Sequence, residues 1–313
     1  MMLSRTKEPE FADREPADET TSAALARIPT GFRLWLPGRG ITYITDTAGP
    51  DGAPALVLLH GAGCTGLLNW FTSIDALSQH FRVITMDQRC HGGGVATSQF
   101  SLYDCADDVA CLVQELGLEK VIVVGHSMGS LVAQRVWRQH PETVAGLVLC
   151  SSTDRFRSSR PETVFFGMLH ASVMTSHWMR DSRSSTKLDA PRLAAPTQYE
   201  PEATTAWMRS EWLKSKPLGG AQVIAACGRH HSAPWISRVD VPTAVVVTTK
   251  DRVIEPQRQR ALAERIPGAT VHEVDGGHAA CITAADAFVP VVVEAAVRTA
   301  QRAGYTSELA PAN

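Results

Sequence analysis

Six short apolar runs, each ending in a small, polar or charged loop, constrain this chain most. They are Ala55-Leu-Val-Leu-Leu59, Phe81-Arg-Val-Ile-Thr-Met86, Lys120-Val-Ile-Val-Val124, Val144-Ala-Gly-Leu-Val-Leu149, Thr243-Ala-Val-Val-Val-Thr248 and Thr270-Val-His-Glu-Val274. Runs this short, β-branched and apolar suit strands buried on both faces. Helical segments alternate with them: Tyr103 to Leu116, Ser130 to His140, Pro256 to Ile266 and Ala284 to Gln301. Alternating strand and helix predicts an α/β fold with a mostly parallel sheet and helices on both faces. Ahead of the runs, FRLWL, the turn PGRG and ITYIT read as a hairpin over Phe32 to Asp46.

One interval breaks the alternation. Between Thr153 and Pro234 no strand-like run occurs, only helical stretches at 161–180, 200–216 and 218–229. A structureless loop of that length is unlike a compact domain, so a helical lid is expected at 154–233. The core is then 32–153 with 234–302. Residues 1–31, polar, charged and proline-bearing, are expected to form a mobile arm, and 303–313 a tail.

Composition narrows the function. The net charge is -2, from 30 basic and 32 acidic side chains, so no nucleic-acid partner is expected. Seven cysteines without a CxxC pair argue against a disulfide framework or a zinc site, and no metal is expected. They fit a reducing compartment. No run of export-signal length and no membrane span is visible, so the expected location is cytoplasmic.

The chemistry is carried by Gly125-His126-Ser127-Met128-Gly129, a G-x-S-x-G placed after an apolar strand and before a helix. Such a turn exposes a strained serine at the strand's C-terminal end, where a helix N-terminus faces developing negative charge. A serine needs a base. His278, in Gly276-Gly277-His278 after the sixth run, is the candidate, while His126 is expected to point away from the serine. Asp251, ending the fifth run, would hold the imidazole; Asp154, after the fourth run, is the alternative. The oxyanion donors should be the N–H groups of Met128 and of Ala62, in the turn His60-Gly-Ala-Gly63. His91-Gly-Gly-Gly94 imitates an oxyanion motif but follows the wrong strand. It is expected to be a structural turn ordered by His91 and Asp87.

The stretches LVLLHGAG, RVITMDQRCHGGG, VIVVGHSMGS, VVVTTKDRVIEP and VDGGHAA together resemble the α/β-hydrolase superfamily, most nearly its lid-bearing esterase, lactonase and carbon–carbon-bond hydrolase branch. The resemblance spans about residues 32–300. It implies an eight-stranded sheet, a lid after strand six and cofactor-free acyl transfer to water. Ser127 would be the nucleophile after strand five, Asp251 the acid after strand seven and His278 the base after strand eight. Two departures stand in the D-x-R-G-H-G-x-S stretch: Cys90 replaces its first glycine and Gly94 its serine. A serine at 127 excludes relatives that use an aspartate or cysteine nucleophile.

Aromatic and Met side chains crowd the lid. Trp178 and Trp207, with Trp70 near the oxyanion turn, are expected to line a site for an apolar small-molecule substrate. Arg155, Arg157 and Arg160 begin the lid and read as a solvated face. The expected activity is a carboxylic-ester or lactone hydrolase. The alternatives are a carbon–carbon-bond hydrolase and a ligand-binding protein or receptor with little turnover.

Overall fold

The computed structural model describes residues 24–25, 27–157, 159–178, 193–197, 200–215 and 217–305. Eight strands form one sheet: β1 Phe32–Leu36, β2 Gly40–Thr47, β3 Ala55–Leu59, β4 Arg82–Met86, β5 Val121–His126, β6 Val144–Cys150, β7 Thr243–Thr248 and β8 Thr270–Val274. Their order is β1-β2-β4-β3-β5-β6-β7-β8. The β1–β2 and β2–β4 pairs are antiparallel and the others parallel. Both termini of the hairpin and all six runs thus fall where their apolar patterns place them.

Helices α1 Gly66–Ser78, α2 Leu102–Glu115, α3 Met128–Gln139, α7 Pro256–Arg265, α8 Ala280–Thr283 and α9 Ala285–Arg302 cover the sheet. Side chains alternate across each strand, so the core has two halves. Val57, Val123, Leu147 and Val245 pack towards α2, α3 and α7. Leu56, Ile122, Val148 and Val246 pack towards α1 and α9. β8 departs from the expectation of burial on both faces: Val271 and Glu273 are exposed because it is the sheet edge.

Between β6 and β7 lie α4 Arg160–Trp178, α5 Pro201–Lys214 and α6 Pro217–Arg229, with an isolated bridge pairing Arg155 and His231. The expected arm falls mostly outside the described residues. Its described part is docked: Ala24 and Leu25 are buried, and Arg27 donates to Asp75 at 2.8 Å. Packing therefore begins before residue 32. The expected tail lies outside the described residues from 306 onward.

The C-terminal ends of β3 to β8 share one rim. That rim is where the loops bearing His60, Ser127, Asp251 and His278 emerge.

Candidate active site

Ser127 sits between the last residue of β5 and the first of α3, at φ 52° and ψ -116°. A serine pays for this left-handed backbone in strain, which the surroundings must impose. They do so by close packing. A Cβ at Gly129 would lie 2.1 Å from the Leu59 carbonyl oxygen, and one at Gly125 would lie 2.3 Å from the Gly129 oxygen. Only bare backbone fits where helix meets strand. Gly129→Ala should cost about 3 kcal/mol and lower the melting temperature by roughly 6 °C, read by calorimetry. An unchanged melting temperature would refute this account of the turn.

Beyond β8 the chain folds back, with Lys250 N–H donating to the Gly276 carbonyl at 2.9 Å. This carries His278 over the serine. Its Nε2 lies 2.8 Å from Ser127 Oγ, and its Nδ1 lies 2.8 Å from Asp251 Oδ2. Nδ1–H donates to the carboxylate, which leaves Nε2 to accept from the hydroxyl.

Asp251 is fully occupied. Thr248 Oγ1 donates to Oδ2 at 2.8 Å and Gln259 Nε2 at 3.1 Å. The Val253 and Ile254 amides donate to Oδ1 at 2.8 and 2.9 Å. Burial pushes this carboxyl up, but the bond and charge of His278, with the two amides, outweigh it. They hold the group below the usual carboxylate range. Asp154, the alternative acid, is spent elsewhere: its carboxylate pairs with Arg265.

The turn after β3 closes through Cys64 N–H to the Gly61 carbonyl at 3.3 Å. Gly61 packs on the serine, since a Cβ there would lie 3.4 Å from Ser127 Cβ. His60, wholly buried, fastens the turn: Nδ1 bonds the Gly61 carbonyl at 2.8 Å and Nε2 accepts from Gln88 N–H at 2.9 Å. Ala62 stands in this turn, and Met128 opens α3, where its N–H has no intrahelical acceptor.

The glycine-rich stretch after β4 is a structural turn. Asp87 accepts from the Gly66 and Gly93 amides, both at 2.8 Å, and His91 Nδ1 bonds the Arg89 carbonyl at 3.0 Å. The two departures now have a shape. Cys90 holds φ 64°, a conformation a glycine adopts more readily. A Cβ at Gly94 would lie 2.3 Å from the Gln88 oxygen, so no serine fits.

The tryptophans need correction. Trp70 has no exposure and packs against His126 and Phe288. Trp207 is equally buried, edge-on to Phe71 at 5.2 Å. Indoles this size fill core before they meet ligand. The side chain of Trp178 lies outside the described residues. A cavity of about 250 Å³ beside the turn is lined instead by Ala62, Cys90, His91, Trp212, Val223 and Ile224.

His126 was expected to point away from the serine, yet it touches the base. Its Nε2 lies 2.8 Å from the His278 carbonyl oxygen. No sequence signal marks this, because the partner is backbone 152 residues on. Among the described residues no group of three metal-type side chains converges, and no helix is long and apolar enough to cross a membrane.

The sequence pattern of the family described as alpha/beta hydrolase fold matches residues 54–285. The chain belongs to that family. It is a hydrolase of this fold; the bond it cleaves is argued below. A protein of Agrobacterium fabrum named as a carbamate hydrolase, RutD, is 28% identical over 250 residues, 75% of this chain and 90% of its own. The magnesium-chelatase 30 kDa subunit of Rhodobacter capsulatus is 27% identical over 302 residues, 89% of this chain and 96% of its own. The solved thermophilic esterase of Thermogutta terrifontis shares the fold at TM-score 0.65 and 24% identity, covering 88% of this chain and 99% of that one. Names so different share an architecture, and the chemistry must be argued from the site.

Proposed function

We propose that this chain is a serine hydrolase that cleaves a carboxylic ester or lactone of an apolar small molecule through an acyl-enzyme. The observation that carries the reading is the unbroken chain of two 2.8 Å contacts from Ser127 Oγ through His278 to Asp251. Ser127 Oγ attacks the acyl carbon while its proton passes to His278 Nε2. Asp251 stabilises the imidazolium that results. The oxyanion faces the N–H groups of Ala62 and Met128, at the positive end of α3. His278 returns the proton to the departing alcohol. Water, activated by the same base, then attacks the acyl-enzyme and frees Ser127. The reading needs no cofactor or metal, and places the enzyme in the cytoplasm.

The cavity beside Ala62 is the candidate acyl site. At about 30 Å³ per water-sized group, 250 Å³ admits about eight non-hydrogen atoms, which favours short acyl chains. The relatives named for carbamate and ester cleavage share one step, addition of an oxygen nucleophile to an acyl carbon. The test is therefore a panel of aryl esters of increasing chain length, lactones and aryl carbamates, with fluorophosphonate labelling mapped by peptide analysis. Turnover should be greatest on short esters or lactones, with the label on Ser127. A protein that resists the label and turns over none of the panel overturns the reading. Carbamate turnover above ester turnover overturns the choice of bond.

A further inference from the structure

The base of this site is held by its own backbone as well as by Asp251. His126 is buried at the end of β5, directly before Ser127. Its ring centroid lies 5.3 Å from that of His278. Its Nε2 meets the His278 carbonyl oxygen at 2.8 Å. A carbonyl can only accept, so the ring's N–H is on Nε2. Burial, with the neighbouring His278, pushes the His126 imidazole down to about 3, so it carries no second proton at neutral pH.

The opposite edge of the ring faces the oxyanion turn. Asn69, wholly buried in α1, accepts from Gly61 N–H at 2.9 Å through Oδ1. That oxygen lies 3.1 Å from His126 Nδ1, and Trp70 stands edge-on to the same ring. His126 thus has one place to lie: between the turn that bears Ala62 and the loop that bears the base.

We infer that His126 is a positioning residue, whose Nε2–H fixes the His278 loop so that the imidazole stays aligned between Ser127 and Asp251. The inference rests on the serine-hydrolase reading. It assigns the residue before the nucleophile to the base rather than to the serine. No atom of His126 needs to touch substrate. Its loss should therefore slow proton transfer and leave binding nearly unchanged, because hydrogen-bond alignment governs the base.

The experiment compares His126→Leu, which keeps bulk without a donor, with His126→Gln, which restores an N–H near the Nε2 position. The readouts are kcat, KM, fluorophosphonate labelling rate and melting temperature. The leucine variant should lose roughly 10- to 100-fold in kcat and in labelling rate, with KM within about threefold. Glutamine should recover most of the loss. A merely structural role would lower the melting temperature of both variants without splitting kcat from KM. Should the leucine variant not fold, His126→Asn takes its place, since its shorter amide stops short of the carbonyl. Wild-type kcat in the leucine or asparagine variant, or glutamine no better than leucine at equal melting temperature, overturns the inference alone. A wild-type protein that resists labelling overturns the serine-hydrolase reading, and this inference with it.

Discussion

Ser127→Ala should lower kcat on any substrate the wild type cleaves by about 10⁴ to 10⁶-fold, with KM little changed. The hydroxyl is the one group that bonds to the acyl carbon, and the variant keeps every other contact. Alanine loses a single oxygen, and the turn's geometry is set by glycine contacts at 125 and 129 rather than by the side chain. The melting temperature should therefore stay the same or rise, since strain at φ 52° remains while a buried polar contact with His278 is removed. Residual activity above the uncatalysed rate is expected from the Ala62 and Met128 amides. Steady-state kinetics on the best substrate of the panel decides it. Turnover within tenfold of wild type would mean that water, activated directly by His278, does the chemistry.

The parts of this site that were legible in the sequence are those whose signal is local. Ser127 is marked by its neighbours: an apolar strand before it, a helix after it and glycine on both sides. Asp251 and His278 follow from strand order, since each ends a β-branched run and parallel strands deliver their loops to one rim. The helices with one apolar face, such as α2 and α9, were equally plain. α1 was not, because Gly66 to Ile74 is buried on every side and has no amphipathic stripe to recognise. The same burial misled the reading of Trp70 and Trp207. Aromatic residues at helical spacing look alike whether they face a ligand or a core. The contacts that tune the acid and base, Gln259 to Asp251 and His126 to the His278 backbone, join residues with no periodic relation. They appear only when the chain is folded.

Asp251→Asn is the second large effect, with an expected loss of about 10⁴-fold in kcat and a fold that survives. Asparagine fits the space, and its oxygen can still accept from the Val253 and Ile254 amides. The other atom decides the outcome. Oδ2 accepts from His278 Nδ1, Thr248 and Gln259 at once. An amide nitrogen there presents hydrogens to three donors. The imidazole escapes the clash by moving its own proton to Nε2, and then it can no longer accept from Ser127. The carboxylate also ties stability to pH. Its folded pKa lies below the ordinary value, so its contribution is complete above about pH 4 and is lost as pH falls through the folded value. Urea titrations of the two proteins should thus show a gap that is constant from pH 7 to about 5 and narrows below 4. A gap that widens in acid, or an asparagine variant with near wild-type kcat, would remove Asp251 from its place behind the base. The outcome hinges on the proton at Nδ1, because a carboxylate is the only acceptor there that leaves Nε2 open to the serine.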